Sequence, residues 1–172
     1  MAPRRPDLAT ELLARMAEDQ RMRLLPKADQ PPDHLARWRA VDADNTDALR
    51  RVVDAHGWPG FALVGKEAAH AAWLLAQHAG EDPEFQHRAL GLLAAAVEVG
   101  DADPADLAFL VDRCRVHDGL PQVYGTQYIR DADGLRMQPV EDPDHLDERR
   151  AAAGLEPHAE NDARMRALYE EA

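Results

Sequence analysis

The segment from Lys66 to Ala79 (KEAAHAAWLLAQHA) constrains this chain more than any other, because it is apolar almost all the way round. A helix with one apolar stripe lies on a surface, whereas one without a polar face is enclosed by neighbours on several sides. The rest of the chain therefore has to supply helices that surround it. At about 100° per residue, Lys66, His70, Trp73 and Gln77 share a narrow stripe, and His78 points elsewhere, beside Leu74 and Leu75. His70, next to a lysine and a tryptophan, reads as a partly exposed surface residue.

The surrounding elements can be placed from their punctuation. Residues 7–25 carry Leu8, Leu12, Leu13, Met16 and Met22 near helical spacing, and Pro26 stops the run. Pro31-Pro32 makes 27–33 irregular, with a short helical turn over 35–41 and a separate helix capped by Asp44 or Asn45 and closed at Gly57. Trp58-Pro59-Gly60 is a loop whose indole plugs the core. Three later helices open on Asp-Pro, at Asp82-Pro83, Asp103-Pro104 and Asp142-Pro143, where Asp accepts the orphan amides and Pro fills the first helical position. The first of them stops at Gly100 and the second at Gly119.

After Gly119 the composition turns to β-branched and aromatic residues, VYGTQYI, followed by Asp133-Gly134 and LRMQPV, which is the signature of a β-hairpin. Two helices follow, over 143–153 and 161–171. The expected fold is mainly α, a compact helical bundle of five to seven helices with one β-hairpin (about 122–140) on its side. It forms a single domain over 1–172, with its core in about 8–155 and a peripheral last helix at about 158–171.

Charge and composition exclude several function classes. Thirty-two acidic against twenty basic residues leave a formal charge of -12, so phosphate backbones and anionic lipid surfaces are repelled. Neither nucleic acid nor a membrane is an expected partner. The arginines of the first helix alternate with Asp7, Glu11, Glu18 and Asp19 and read as a solvated, salt-bridged face. No stretch reaches the apolar length of a spanning helix, and no apolar run behind Arg4-Arg5 makes a secretory signal. The one cysteine, Cys114, falls on an apolar stripe and reads as a small core residue. A reducing, cytoplasmic setting is expected. The eight histidines form no HxxxH or HExxH frame, and no P-loop, GxSxG or GxGxxG element is present. No metal and no cofactor is expected.

Chemistry is then sought among polar residues set within apolar surroundings, where an unpartnered polar group costs about 2–7 kcal/mol. His78 is the candidate general acid or base, since imidazole titrates near neutrality; as a residue of a last helical turn, it also suits the helix dipole. Gln77 and Gln86 lie at the closed end of a helical hairpin joined by AGEDP. Arg113, beside Asp112, either clamps an anionic group or ties the β-hairpin to its helix. In QVYGTQ, Gln122 and Tyr124 occupy one face of the expected strand, while Gln127 falls on the apolar face with Val123 and Ile129, across the space left by Gly125. The expected site is one polar pocket with His78 and Arg113 as catalytic residues and Gln77, Gln86, Gln122, Tyr124 and Gln127 as substrate-binding residues. It would serve a small enzyme of hydrolase or transferase type acting on a small polar or anionic molecule. The alternative is a non-catalytic interaction or ligand-binding module with an acidic surface.

These features occur together as a pattern: Asp19-Gln20, Gly57-Trp58-Pro59, Ala71-Ala72-Trp73, Gln77-His78, Phe85-Gln86, Asp112-Arg113, Pro121-Gln122, Tyr124-Gly125-Thr126-Gln127, Asp147 and Arg149-Arg150. In this the chain resembles a bacterial family catalogued only as a domain of unknown function, over roughly residues 8–155. The resemblance implies one compact domain and no particular activity.

Overall fold

A computed structural model of the chain describes residues 2–131 and 134–170. It divides into two units, one running to Asp103 and the other starting at Pro104. The chain is mainly helical, with a single two-stranded antiparallel sheet among the described residues.

The first unit is built on the enclosed helix anticipated from the sequence. Helix α4 (Lys66–Gln77) contacts α1 (Pro6–Arg23), α2 (His34–His56), α3 (Phe61–Val64) and α5 (Pro83–Glu98). Ala68, Ala69, Ala71, Ala72, Leu75 and Ala76 of α4 are all buried. Its alanines let neighbouring helices approach closely, and Leu12, Leu49, Val53, Phe85 and Leu93 fill the space between them. Burying each of these larger side chains contributes about 1.5–3 kcal/mol. Trp58 is buried from its loop, as its place between Gly57 and Pro59 implies.

Two boundaries differ from expectation. Residues 34–56 form one continuous helix, with no start at Asp44 or Asn45. Thr46 donates its hydroxyl back to the Asp42 carbonyl, the Arg15 guanidinium engages both Asp44 and Asn45, and Arg23 holds Asp42. The polar residues that resemble a cap are thus occupied by side chains of α1. The short helix α3 follows Gly60 as its N-cap residue, whose added Cβ would lie 2.5 Å from the Asp101 carbonyl oxygen. That close approach lets Asp101 accept from the Phe61 amide through its backbone and from the Ala62 amide through its side chain.

The second unit comprises α6 (Pro104–His117), β1 (Tyr128–Asp131), β2 (Gly134–Met137), α7 (Leu146–Ala152) and α8 (His158–Glu170). The strands pair Tyr128 with Met137 and Asp131 with Gly134. Asp133 of the expected turn lies outside the described residues, and Gly134 has a φ of 107°. Residues 122–127 belong to neither strand; they form a loop in which Gln122 makes one isolated bridge to Val140. The two-residue alternation applied to QVYGTQ therefore does not hold. Gly125 takes a φ of 67°, and an added Cβ would stand 3.0 Å from the Met137 sulfur and 3.3 Å from Leu146.

Of the three Asp-Pro starts, Asp82 caps α5 by accepting from the Phe85 amide at 3.0 Å, and α6 begins at Pro104. Asp142 instead adopts a left-handed φ of 44° ahead of a 3-10 turn, with α7 starting only at Leu146.

Candidate functional site

The expected site residues fall in both units: Gln77, His78 and Gln86 in the first, Arg113, Gln122, Tyr124 and Gln127 in the second. In the second unit the amides and hydroxyls serve the loop itself. Asp112 is fully buried on α6, and its carboxylate accepts from the amides of Val123 (2.7 Å), Tyr124 (3.0 Å) and Thr126 (2.9 Å) and from the Thr126 hydroxyl (2.9 Å). The loop wraps its donors around one carboxylate because a buried charge needs several hydrogen bonds to offset its lost hydration. Gln122, also fully buried, donates to the carbonyls of Gln127 and Gln138 and accepts from the Gln127 amide. The Gln127 side chain donates to Thr126.

Arg149 and Arg150 close the same loop from α7. Arg149 donates to the Val123, Glu141 and Asp142 carbonyls, and the buried Arg150 donates to those of Tyr124 and Glu156. Burial lowers the pKa of Arg150 from its ordinary value. The space that Gly125 leaves, read from the sequence as room for a ligand or another backbone to approach closely, is taken by Met137 and Leu146. Arg113 is half-buried on α6, next to Asp112.

In the first unit Gln86 is fully buried, and its Nε2 donates to the Ala76 (2.9 Å) and Gln77 (3.2 Å) carbonyls. These belong to the last turn of α4, whose carbonyls lack partners within the helix. Gln86 therefore acts as a cap supplied by α5. Its Oε1 has no hydrogen-bond partner among the described residues. Gln77 is buried on the last turn of α4, and His70 is exposed with its ring 4.7 Å from that of Trp73.

His78 stands apart from these structural roles. It is the C-cap of α4, where the chain leaves the helix, and its side chain keeps 15% exposure. Its Nδ1 lies 2.9 Å from the Asp19 carboxylate of α1, whose side chain has no exposure at all. Asp19 also accepts from Gln20 Nε2 and from Arg23 Nε, and the other end of the Arg23 guanidinium binds Asp42 of α2 at 2.7 Å. The guanidinium in turn stacks over the Trp38 ring at 4.7 Å, which fixes its position. One cation thus serves two carboxylates, and the His78 ring is a side chain from outside α1 that bonds to Asp19.

The two carboxylates respond differently. Burial pushes Asp19 up, but its bond to His78, the His78 and Arg23 charges and Gln20 together outweigh burial and hold it below the ordinary value. For Asp42, burial outweighs the opposing pull of Arg23 and leaves it above the ordinary value. In the neutral ring, an ionised Asp19 on Nδ1 favours the tautomer with the proton on Nδ1, which leaves Nε2 with its lone pair.

His78 lines a cleft of about 220 Å³ with residues of α2 and of the α4–α5 turn, among them Arg39, Asp42, Thr46, Asp47, Glu81 and Asp82. Sequence reading placed Asp19 on a solvated face, yet it lies seven residues from the buried Leu12 and three from the buried Met22. That helical spacing on an apolar stripe was the signal for a carboxylate turned inward. Among the described residues, no group of three or more His, Cys, Asp or Glu side chains is arranged to hold a metal ion. No described helix is long and apolar enough to cross a membrane.

A mainly helical protein with a histidine–carboxylate pair on a small cleft, and with the loop that precedes its β-hairpin locked around a buried aspartate, is the class these features define. The chain belongs to the Family of unknown function (DUF6624), whose pattern matches residues 6–171 and so includes α8, beyond the 8–155 expected. Compared with curated proteins and with solved structures, it matches none.

Proposed function

We propose that this protein is a small cytoplasmic enzyme of hydrolase or transferase type in which His78 moves the proton and Asp19 orients and supports its ring. The observation that carries this reading is the bond from His78 Nδ1 to an aspartate without solvent exposure, on a ring that borders an open cleft. A general base needs its free nitrogen accessible and its other nitrogen held. The cleft and the pair both belong to the first unit, so the proposed site requires none of Arg113, Gln122, Tyr124 or Gln127. The lone, buried Cys114 suits a reducing compartment.

The second unit supports the non-catalytic alternative for its own residues. Its polar groups bond to one another and to backbone, as a scaffold requires, and Arg149 and Arg150 are spent on carbonyls rather than on a ligand.

The test is a panel of chromogenic carboxylate and phosphate esters and activated acyl donors, assayed with wild type, H78Q and D19N. A productive substrate should lose about 10²–10⁴ in kcat/KM in H78Q, the usual contribution of a positioned general base. D19N should lose activity with a displaced pH profile, since the ring tautomer is no longer fixed. Equal rates in wild type and H78Q would remove His78 from the mechanism.

A further inference from the structure

The charges around the His78 cleft fall into two groups. Asp42 is held by Arg23, which it shares with Asp19, and Asp82 by Arg50 and the Phe85 amide, so both carboxylates already have close partners. Asp47 reaches Arg50 only at 3.9 Å, the outer limit of an ion pair. Arg39 and Glu81 line the cleft and are exposed, and their side chains take part in no hydrogen bond or ion pair among the described residues. The cleft therefore offers one uncommitted cation and, from Glu81 and Asp47, uncommitted negative charge.

These charges are spatially ordered. Arg39, Asp42/Ala43 and Thr46/Asp47 recur along one face of α2, so Arg39 and Asp47 are separated by two helical turns, about 12 Å of rise. Asp47 lies at the end of the cleft where Arg50 of α2 reaches across to Asp82, the residue that follows Glu81. Along α2, Arg39 thus stands at one end of the cleft lining and Asp47 at the other, where Glu81 is next in sequence to Asp82. The volume of about 220 Å³ falls below the roughly 300–1,000 Å³ of pockets for drug-sized ligands.

We propose that the cleft binds a small zwitterion carrying an amine and an acid group several bonds apart, the acid group at Arg39 and the amine at Glu81 and Asp47. Such a ligand answers both open charges at once, whereas an anion meets Glu81 and Asp47 unpaired and a cation leaves Arg39 unused. The inference rests on the His78 reading for its site and adds the class of molecule that site takes. It also puts the backbone between the two charged groups alongside the imidazole.

The full-length protein is titrated at low salt with 6-aminohexanoate, hexanoate, hexylamine and glycine, following the backbone amide resonances of α2 and the 78–82 turn by NMR. 6-Aminohexanoate should give saturable shifts there and bind at least about threefold more tightly than hexanoate or hexylamine, in keeping with exposed ion pairs. Glycine, too short to span the two ends, should bind more weakly. In R39Q the affinity for 6-aminohexanoate should fall to that of hexylamine, and in a D47N/E81Q variant to that of hexanoate. All three side chains are exposed, so these variants keep the fold. Hexylamine or hexanoate binding as tightly as 6-aminohexanoate, or no saturable shift with any of them, overturns the proposal. Binding of 6-aminohexanoate alongside equal ester or acyl-transfer rates in wild type and H78Q would keep the ligand class and remove only proton transfer by His78.

Discussion

Asp19 and Asp112 are both carboxylates without solvent exposure, and they meet burial in different ways. Asp112 is surrounded by backbone donors of a single loop, which gives it a fixed structural task. Asp19 is met by three side chains from two helices, one of which is a titratable ring open to a cleft. The pKa of Asp19 is lowered on folding, so the carboxylate contributes stability that is complete above its unfolded value of about 3.9 and is lost as pH falls through the lower folded value. D19N should be less stable than wild type at pH 7 by about 1–3 kcal/mol, because Arg23 and His78 lose a buried acceptor. It should also show a shallower loss of stability below pH 4. Urea unfolding of both proteins between pH 3 and 7 measures the two slopes, and parallel curves would show that Asp19 does not titrate differently on folding. Residue patterning singled out His78, because an imidazole at a helix end two residues before a glycine stands out in one dimension. Its partner was hidden, since a carboxylate with arginines four residues away on either side, Arg15 and Arg23, looks solvated until the neighbouring helix is in place.

At the scale of elements, local chemistry was legible wherever it decided the outcome locally. The enclosed α4, the proline-led starts of α5 and α6, and the stops at Gly100 and Gly119 all follow from propensity, capping and positive φ. What failed was the reading of polar residues whose partners lie far along the chain. Asp44 and Asn45 resemble an N-cap but bond to Arg15, twenty-nine and thirty residues away. QVYGTQ resembles a strand, yet three of its amides turn toward Asp112 instead of a neighbouring strand. Gly125 separates these effects experimentally. G125A has to hold a positive φ and also place a methyl group against Met137 and Leu146, whereas G100A has a φ of 73° with nothing within 4 Å of its Cβ. G100A should cost about 1–2 kcal/mol from backbone strain alone, and G125A should exceed it by at least about 1 kcal/mol from crowding. Urea midpoints of the two variants test the difference, and equal losses would mean that Met137 and Leu146 yield freely.

Across the whole molecule two electrostatic effects compete. The chain carries thirty-two acidic and twenty basic residues, an excess of twelve negative charges that repel one another in the folded state. Against this stand many arginine–carboxylate pairs, such as Arg5–Asp7, Arg21–Glu18, Arg88–Asp54 and Arg166–Asp162, whose side chains are largely exposed. Pairs of this kind contribute about 0–1 kcal/mol each and weaken as salt screens them. The repulsion acts over longer distances: the screening length shortens from about 30 Å at 0.01 M to about 10 Å at 0.1 M. Contacts at 2.6–3 Å lie well inside either length, while the spread of excess charge over a 19.1 kDa chain does not. Raising NaCl from about 10 to about 150 mM should therefore remove more repulsion than attraction, and the urea midpoint at pH 7 should rise. A midpoint that falls with salt would show that the arginine network holds more of the stability than its exposed geometry implies. The partly buried links from Arg23 to Asp19 and Asp42 would then be the first pairs to examine by double-mutant cycles.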